Sequence, residues 1–137
     1  MSSPLDSLVG PNRPLAAEPA DDAEVRGLIR SGKARLADAV NPALALESRF
    51  DLAYNAAHAL CLAALRRLGY RARHRYVVFQ VLPHTLGLGP EVWRVLDHAH
   101  ARRNLSEYEG HQDLDERLVL DTVGACRRVA DRLDVLD

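Results

Sequence analysis

The polar residues that could do chemistry lie on one face of a helical stretch in the last third of the chain. At about 100° per residue, this face combines Trp93 and Leu96 with His100, Arg103 and Asn104. The apolar pair predicts an inward or interfacial face, where each polar group needs a partner. Two interpretations stay open: a helix end whose charges are solvated, and a polar site at an interface.

An alanine-rich helical stretch carries a second polar set. Asp51, Asn55 and His58 follow i, i+4, i+7 spacing, and Tyr54 lies beside them. One interpretation is a hydrogen-bond ladder that is satisfied inside the core. The other is a supporting role for the polar face described above. A polar network between the two helices would serve both purposes.

One basic, aromatic-interleaved cluster follows that helix, with five arginines within ten residues. Arg71, Arg73 and Arg75 are the candidates for contact with nucleic-acid phosphates. Tyr70 or Tyr76 could stack on a base. The competing interpretation is a solvated helix end, because Arg near a helix C-terminus favours the helix dipole without any ligand. The net charge of −1 gives no overall basic field that would argue for nucleic acid.

Helix-start and helix-stop residues predict the elements that position these groups. Asp21 or Asp22 can cap a first helix, and Asn41-Pro42 ends it and starts the second. The run from Val77 to Leu82 is predicted to be a short helix rather than a strand, because no partner strand is evident. The predicted long helices cover about residues 22–40, 44–68, 90–109 and 115–136. The predicted fold is all-α, an antiparallel four-helix bundle with an additional short helix.

The N-terminal segment differs from the rest in composition. Residues 1–20 contain four prolines and no hydrophobic periodicity, which predicts a flexible N-terminal arm before a helical domain over residues 21–137. A length of 137 residues suits one such domain. Cys61 and Cys126 lie in apolar helical patterns, which predicts reduced core residues of a cytoplasmic protein. Neither a signal peptide nor a membrane span is predicted.

The sequence predicts no cofactor and no metal. The sequence lacks the glycine-rich nucleotide-binding motifs and the zinc-protease motif. His98 and His100 are two residues apart, so they point to different faces of a helix and make a poor metal pair.

Three motifs occur in a defined order along the chain. A long alanine-rich helix contains the run from Tyr54 to Leu60, a short helix and Leu86-Gly87 follow, and a further helix ends with the run from Arg103 to Tyr108. This order resembles the HEPN domain (higher eukaryotes and prokaryotes nucleotide-binding) over about residues 22–136. The resemblance implies an antiparallel helical bundle that dimerises. It also implies, for many members, a metal-independent ribonuclease toxin with a nucleotidyltransferase antitoxin.

The resemblance further implies a catalytic signature: Arg, a polar residue such as Asn directly after it, and a His that is separated from the Arg by four to six residues. The His would act as general acid or base on the ribose 2′-hydroxyl, and the Arg would stabilise phosphorane charge. Arg103-Asn104 match, but Tyr108 occupies the nearest position for the His, and His111 lies beyond the spacing. A phenol is a poor base at pH 7. The implied catalytic candidates are Arg103, Asn104, His100 and Tyr108.

The function predicted from this resemblance is a HEPN-like helical protein in a toxin–antitoxin or defence setting. Such a protein binds RNA or a nucleotidyltransferase partner, forms a homodimer, and has weak or absent catalysis. Two alternatives stay open: an active metal-independent ribonuclease toxin, and a helical protein–protein interaction module.

Overall fold

The computed structural model describes residues 3–109 and 114–136, without the side chains of residues 105–109. The chain is mostly helical, at 70%, with one small two-stranded sheet, so the prediction of a mainly helical fold is confirmed. The elements in chain order are a 3₁₀ helix Pro4–Leu8, β1 Leu15–Ala17, α1 Asp22–Ala39, α2 Leu46–Arg66, β2 Tyr70–Ala72, α3 Val77–Gln80, α4 Leu82–Thr85, α5 Pro90–Glu109 and α6 Glu116–Leu136.

Local hydrogen bonds explain where the first two long helices begin. The Asp21 carboxylate accepts from the backbone N–H groups of Ala23 and Glu24 at 3.0 and 3.2 Å, which starts α1 at the predicted place. The Asn41 side chain accepts from the Ala43 N–H at 3.0 Å. That contact makes a turn rather than a helix start, so α2 begins at Leu46, slightly later than predicted.

Helix α2 is the central element and packs against α1, α5 and α6. Its small side chains let neighbouring helices approach closely. Its buried residues include Ala53, Ala56, Ala57, Leu60, Cys61 and Ala64. On α1, Gly32 lies close to α2, and an added Cβ there would be 2.7 Å from the Leu60 side chain and 3.2 Å from the Ala56 carbonyl oxygen.

Gly32→Ala is expected to destabilise the protein by about 1–3 kcal/mol, because the methyl group would push α1 away from α2. The matched control is Gly27→Ala on the same helix, where only the tip of Arg30 comes near an added Cβ, at 3.9 Å. This change should stabilise α1 by about 0.5–1 kcal/mol. Urea denaturation compares the two variants. A gain in stability from both would contradict the close α1–α2 contact.

The N-terminal segment, which its prolines predict to be a flexible arm over residues 1–20, packs onto the helices through part of its length. Leu5 and Leu15 are fully buried. Strand β1 pairs antiparallel with β2, with Leu15 opposite Ala72 and Ala17 opposite Tyr70. The Tyr70 hydroxyl also donates to the Asp6 carboxylate. The segment is held by two apolar anchors and a sheet, and the expectation that no strand pairing exists was wrong.

The inner faces of α5 and α6 complete the hydrophobic core. On α6, the helical spacing predicts an inward stripe of Leu118, Thr122, Cys126, Val129, Leu133 and Leu136. The middle four are buried, whereas Leu118 is half-buried and Leu136 is exposed. The buried face of α5 carries Val92, Leu96 and Ala99, whereas Trp93 is only half-buried, with Arg94 stacked over its ring. The polar face of α5 therefore lies at the edge of the core. In the part of the chain that the structure describes, no helix is long and apolar enough to cross a membrane.

Candidate functional site

Tyr54 on α2 and His100 on α5 form the centre of the site. The Tyr54 hydroxyl lies 2.8 Å from His100 Nδ1, and the Asn104 amide nitrogen lies 3.0 Å from His100 Nε2. Tyr54 is buried, His100 is half-buried and Asn104 is exposed, so this chain of hydrogen bonds runs from the core to the surface. With the Asn104 amide donating to Nε2, Nδ1–H donates to the Tyr54 oxygen in a neutral imidazole.

Two guanidinium groups lie against the Tyr54 ring. The guanidinium carbon of Arg103 is 4.8 Å from the ring centroid, and that of Arg75 is 5.5 Å from it. Both distances are within cation–π range. Arg103 belongs to α5, and Arg75 belongs to the segment after β2. No carboxylate among the described residues forms an ion pair with Arg75, so its charge favours an anion as a further partner.

Asp51 and Asn55 on α2 hold these two guanidinium groups. Asp51 Oδ1 is 3.7 Å from Arg103 Nε, and Arg75 donates to Asn55 Oδ1 at 3.0 Å. Asn55 donates in turn to the Asp51 carbonyl at 2.8 Å, which orients its amide. The Asp51 side chain is 60% exposed, so water screens its pairing with Arg103. The structure thus brings Asp51 and Tyr54 into contact with the polar face of α5, whereas Asn55 contacts Arg75.

His58 lies one turn further along α2, beside Phe79. The two ring centroids are 6.3 Å apart in an edge-on arrangement. Burial, and then the positive neighbours Arg75, His100 and Arg103, lowers the pKa of His58 to about 4. The imidazole is therefore neutral at pH 7. Within the described residues, no hydrogen bond is made to this ring.

His74 and Tyr76 form a stacked pair next to the site. Their ring centroids are 5.6 Å apart and their planes differ by 8°. The Tyr76 ring is also 6.0 Å from the His100 ring. Tyr76 is 37% exposed and His74 is exposed as well. An exposed aromatic pair next to arginines is a surface on which a nucleobase can stack.

Arg66 and Arg71 belong to an internal ion-pair cluster with Glu18 and Glu24. Arg66 is 1% exposed and donates to Glu24 Oε1 at 2.7 Å. Arg71 donates to Glu18 Oε2 and Glu24 Oε2, both at 2.7 Å. The hydrogen bond from Arg71 is the main cause that lowers the pKa of each glutamate. The charge of Arg71 is thus compensated within the chain, which weakens the case for Arg71 as a phosphate ligand.

Arg73 and Arg75 are exposed. The Arg73 backbone N–H donates to the Pro14 carbonyl at 2.9 Å, and its guanidinium reaches the Gly10 carbonyl at 3.4 Å. No carboxylate among the described residues forms an ion pair with Arg73 or Arg75. Of the three predicted phosphate ligands, these two keep an uncompensated charge.

Two of the residues that the sequence indicates have no described side chain. The Tyr108 side chain and all of His111 lie outside the described residues. Within residues 3–109 and 114–136, no group of three or more His, Cys, Asp or Glu side chains is placed to hold a metal ion.

The central position of Tyr54 and the approach of Arg75 were not predicted. The sequence pattern indicates Tyr54 only as a neighbour of the α2 set, although about 100° per residue places it about 60° from Asp51 and about 40° from His58, at the edge of the same face. That spacing is the available signal for Tyr54. The approach of Arg75 depends on the turn after β2, and no local pattern in the sequence indicates it.

Comparison with protein-family models, with curated proteins and with solved structures finds no match.

Proposed function

We propose that this chain is a HEPN-like helical domain that binds single-stranded RNA through the Tyr54 surface, with weak or absent catalysis. The Tyr54 surface is the group Arg75, His100, Arg103 and Asn104, which surrounds the buried Tyr54. The proposal rests chiefly on one observation: the guanidinium groups of Arg75 and Arg103 lie 5.5 and 4.8 Å from the same ring centroid. Backbone phosphates would accept hydrogen bonds from these guanidinium groups. The adjacent stacked aromatic pair would receive a base.

The way His100 is held supports binding over catalysis. Its Nδ1 faces the Tyr54 hydroxyl at 2.8 Å, and its Nε2 faces the Asn104 amide at 3.0 Å. A general acid or base must exchange a proton with the substrate. One of the two partners would therefore have to leave first, at a cost of about 0.5–1.5 kcal/mol for a typical hydrogen bond.

The proposal extends to the fold, the partners and the location. The four long helices would form an antiparallel bundle, because short connections join neighbouring helices in such bundles. The protein would form a homodimer and would act beside a nucleotidyltransferase partner in a toxin–antitoxin or defence setting, as the HEPN resemblance implies. The free, buried thiols of Cys61 and Cys126 support a cytoplasmic location.

RNA binding tests the proposal, with fluorescence anisotropy of a labelled single-stranded RNA of mixed sequence as the measurement. The double variant Arg75→Ala/Arg103→Ala is expected to weaken binding by about tenfold or more. It should also flatten the plot of log K against log salt by about 0.7 for each phosphate that the variant no longer neutralises.

The matched control is Arg30→Ala/Arg35→Ala, which removes the same charge from exposed positions on α1. Circular dichroism spectra establish that both double variants are folded. Equal affinity and equal salt slope for the two variants would reject the Tyr54 surface as the RNA site. Absence of RNA binding by the unaltered protein would reject the function and favour a helical protein–protein interaction module.

An active metal-independent ribonuclease is the second candidate. The observation that favours it is the placement of the His100 imidazole and the Arg103 guanidinium against the same tyrosine. The same RNA, incubated with excess EDTA and run on a denaturing gel, separates the two candidates. The ribonuclease would be the correct function if cleavage persists in EDTA and is lost in both His100→Ala and Arg103→Ala.

A further inference from the structure

A small cleft opens between α2 and the segment around and after β2. Its volume is about 150 Å³, and its polar lining consists of His58, Arg71, Arg73, His74 and Arg75. None of the described residues that line it is acidic. We propose that this cleft holds a single phosphate group of the bound RNA. The inference rests on the proposed function and deepens it, because Arg75 belongs to both the cleft and the Tyr54 surface.

The charges around the cleft favour an anion. Arg73 and Arg75 line it, and neither has a carboxylate partner in the described part of the chain. Arg71 adds donor groups, but Glu18 and Glu24 compensate its charge. The net local charge is therefore positive, and it comes from two exposed arginines that can turn their guanidinium groups toward a phosphate.

The size of the cleft limits which ligand it can hold. Pockets that enclose a whole small molecule have volumes of roughly 300–1,000 Å³. At about 150 Å³, this cleft has about half the volume of the smallest of those pockets. That space suits a phosphate group and excludes a complete nucleotide. The base and sugar would remain outside, where the stacked rings of His74 and Tyr76 lie.

His58 adds a polar group that lacks a partner. Its largely buried ring lines the cleft and accepts or donates no hydrogen bond within the described residues. Burial is the main cause that lowers its pKa to about 4, and the titratable groups that face it, Arg75 from the segment after β2 and His100 and Arg103 from α5, lower the pKa further. A phosphate in the cleft would offset those charges and accept the imidazole N–H. Anion binding and protonation of His58 would then favour each other.

Inorganic sulfate is the probe, because its charge stays constant across the pH range of the titration. The His58 ring signals are followed by NMR in the full-length protein. Saturating sulfate is expected to raise the pKa of His58 by about one unit or more. Arg73→Ala should weaken sulfate binding about tenfold. Arg35→Ala, an exposed arginine on α1, should leave it unchanged. A His58 pKa that does not move, or equal sulfate affinities of the two variants, would overturn the inference.

RNA competition separates this inference from the proposed function. RNA should displace sulfate from the cleft. An RNA that carries a 5′-phosphate and binds about tenfold more tightly than its 5′-hydroxyl version would place the 5′ end in the cleft, whereas equal binding would place a backbone phosphate there. RNA that binds at Arg75 and Arg103 without displacing sulfate overturns only the cleft assignment. Sulfate binding without any RNA binding overturns both proposals.

Discussion

Arg66→Ala is expected to lower the free energy of unfolding by about 2–4 kcal/mol, because it removes a buried side chain that satisfies several acceptors. Arg66 is 1% exposed. It donates to the main-chain carbonyls of Glu18, Pro19 and Tyr70 at 2.9, 2.8 and 3.1 Å, and to the Glu24 carboxylate at 2.7 Å. After truncation, these acceptors have no donor from this side chain, and a cavity remains between α2 and the N-terminal segment.

Arg71→Ala provides the matched control for this prediction. Arg71 pairs with the same two carboxylates, Glu18 and Glu24, but its side chain is 38% exposed. Its removal should cost no more than about 1 kcal/mol, since water replaces an exposed ion pair. The loss of stability caused by Arg66→Lys should lie between those of the two alanine variants, because an ammonium group cannot reproduce the forked donors of a guanidinium.

Urea denaturation at pH 7, followed by circular dichroism, gives all three free energies. Both glutamates are charged at that pH, because their arginine partners keep their pKa values low. Equal destabilisation by Arg66→Ala and Arg71→Ala would show that the ion pairs alone, and not the burial of Arg66, determine the effect.

The helices could be predicted from the sequence because their signals are local. Asp21 caps α1 through its own side chain, and Pro90 occupies the first turn of α5. The buried stripe of α6 follows directly from its 3.6-residue period. The limits of α2 differ slightly from the prediction, because the Asn41 side chain favours a turn before the helix.

The N-terminal packing could not be predicted in the same way. Strands β1 and β2 have three residues each, which is too short for an alternating pattern to be recognised. The contact of Arg66 with Glu18 and Glu24 joins residues more than forty positions apart, as do the strand pairs. A proline-containing segment with few apolar residues becomes ordered here because Leu5 and Leu15 are both fully buried.

For the candidate site, helical periodicity predicted which residues share a face, but not which faces meet. Asp51, Asn55 and His58 were grouped correctly on α2, and His100, Arg103 and Asn104 on α5. The contact between Asp51 and Arg103 and the bond between Tyr54 and His100 depend on how α5 packs against α2. Arg71 differs from Arg75 because Glu18 and Glu24 lie next to Arg71. No local pattern in the sequence indicates this contact.

His58 is expected to make the protein less stable as the pH falls from about 6.5 to about 4. Its pKa is about 4 in the folded protein, against 6.5 for an ordinary imidazole. Between these values the unfolded chain binds a proton that the folded chain does not, so the free energy of unfolding decreases as the pH decreases. Above pH 6.5 the residue contributes no pH dependence. The decrease amounts to about 1–3 kcal/mol, after allowance for partial exposure of the ring.

Comparison of variants isolates this contribution from the other titrating groups. His58→Leu keeps an apolar contact with Phe79 and removes the imidazole, so its stability should fall less between pH 6.5 and 4.5 than that of the unaltered protein. His84→Leu changes an exposed histidine on α4 and serves as the control. Urea denaturation at half-unit pH steps gives the slopes, and parallel curves for His58→Leu and the unaltered protein would refute the role of His58. If the cleft binds an anion, sulfate should reduce the slope of the free energy of unfolding against pH for the unaltered protein. The slope for His58→Leu should not change, because this variant lacks the imidazole whose protonated form the anion stabilises.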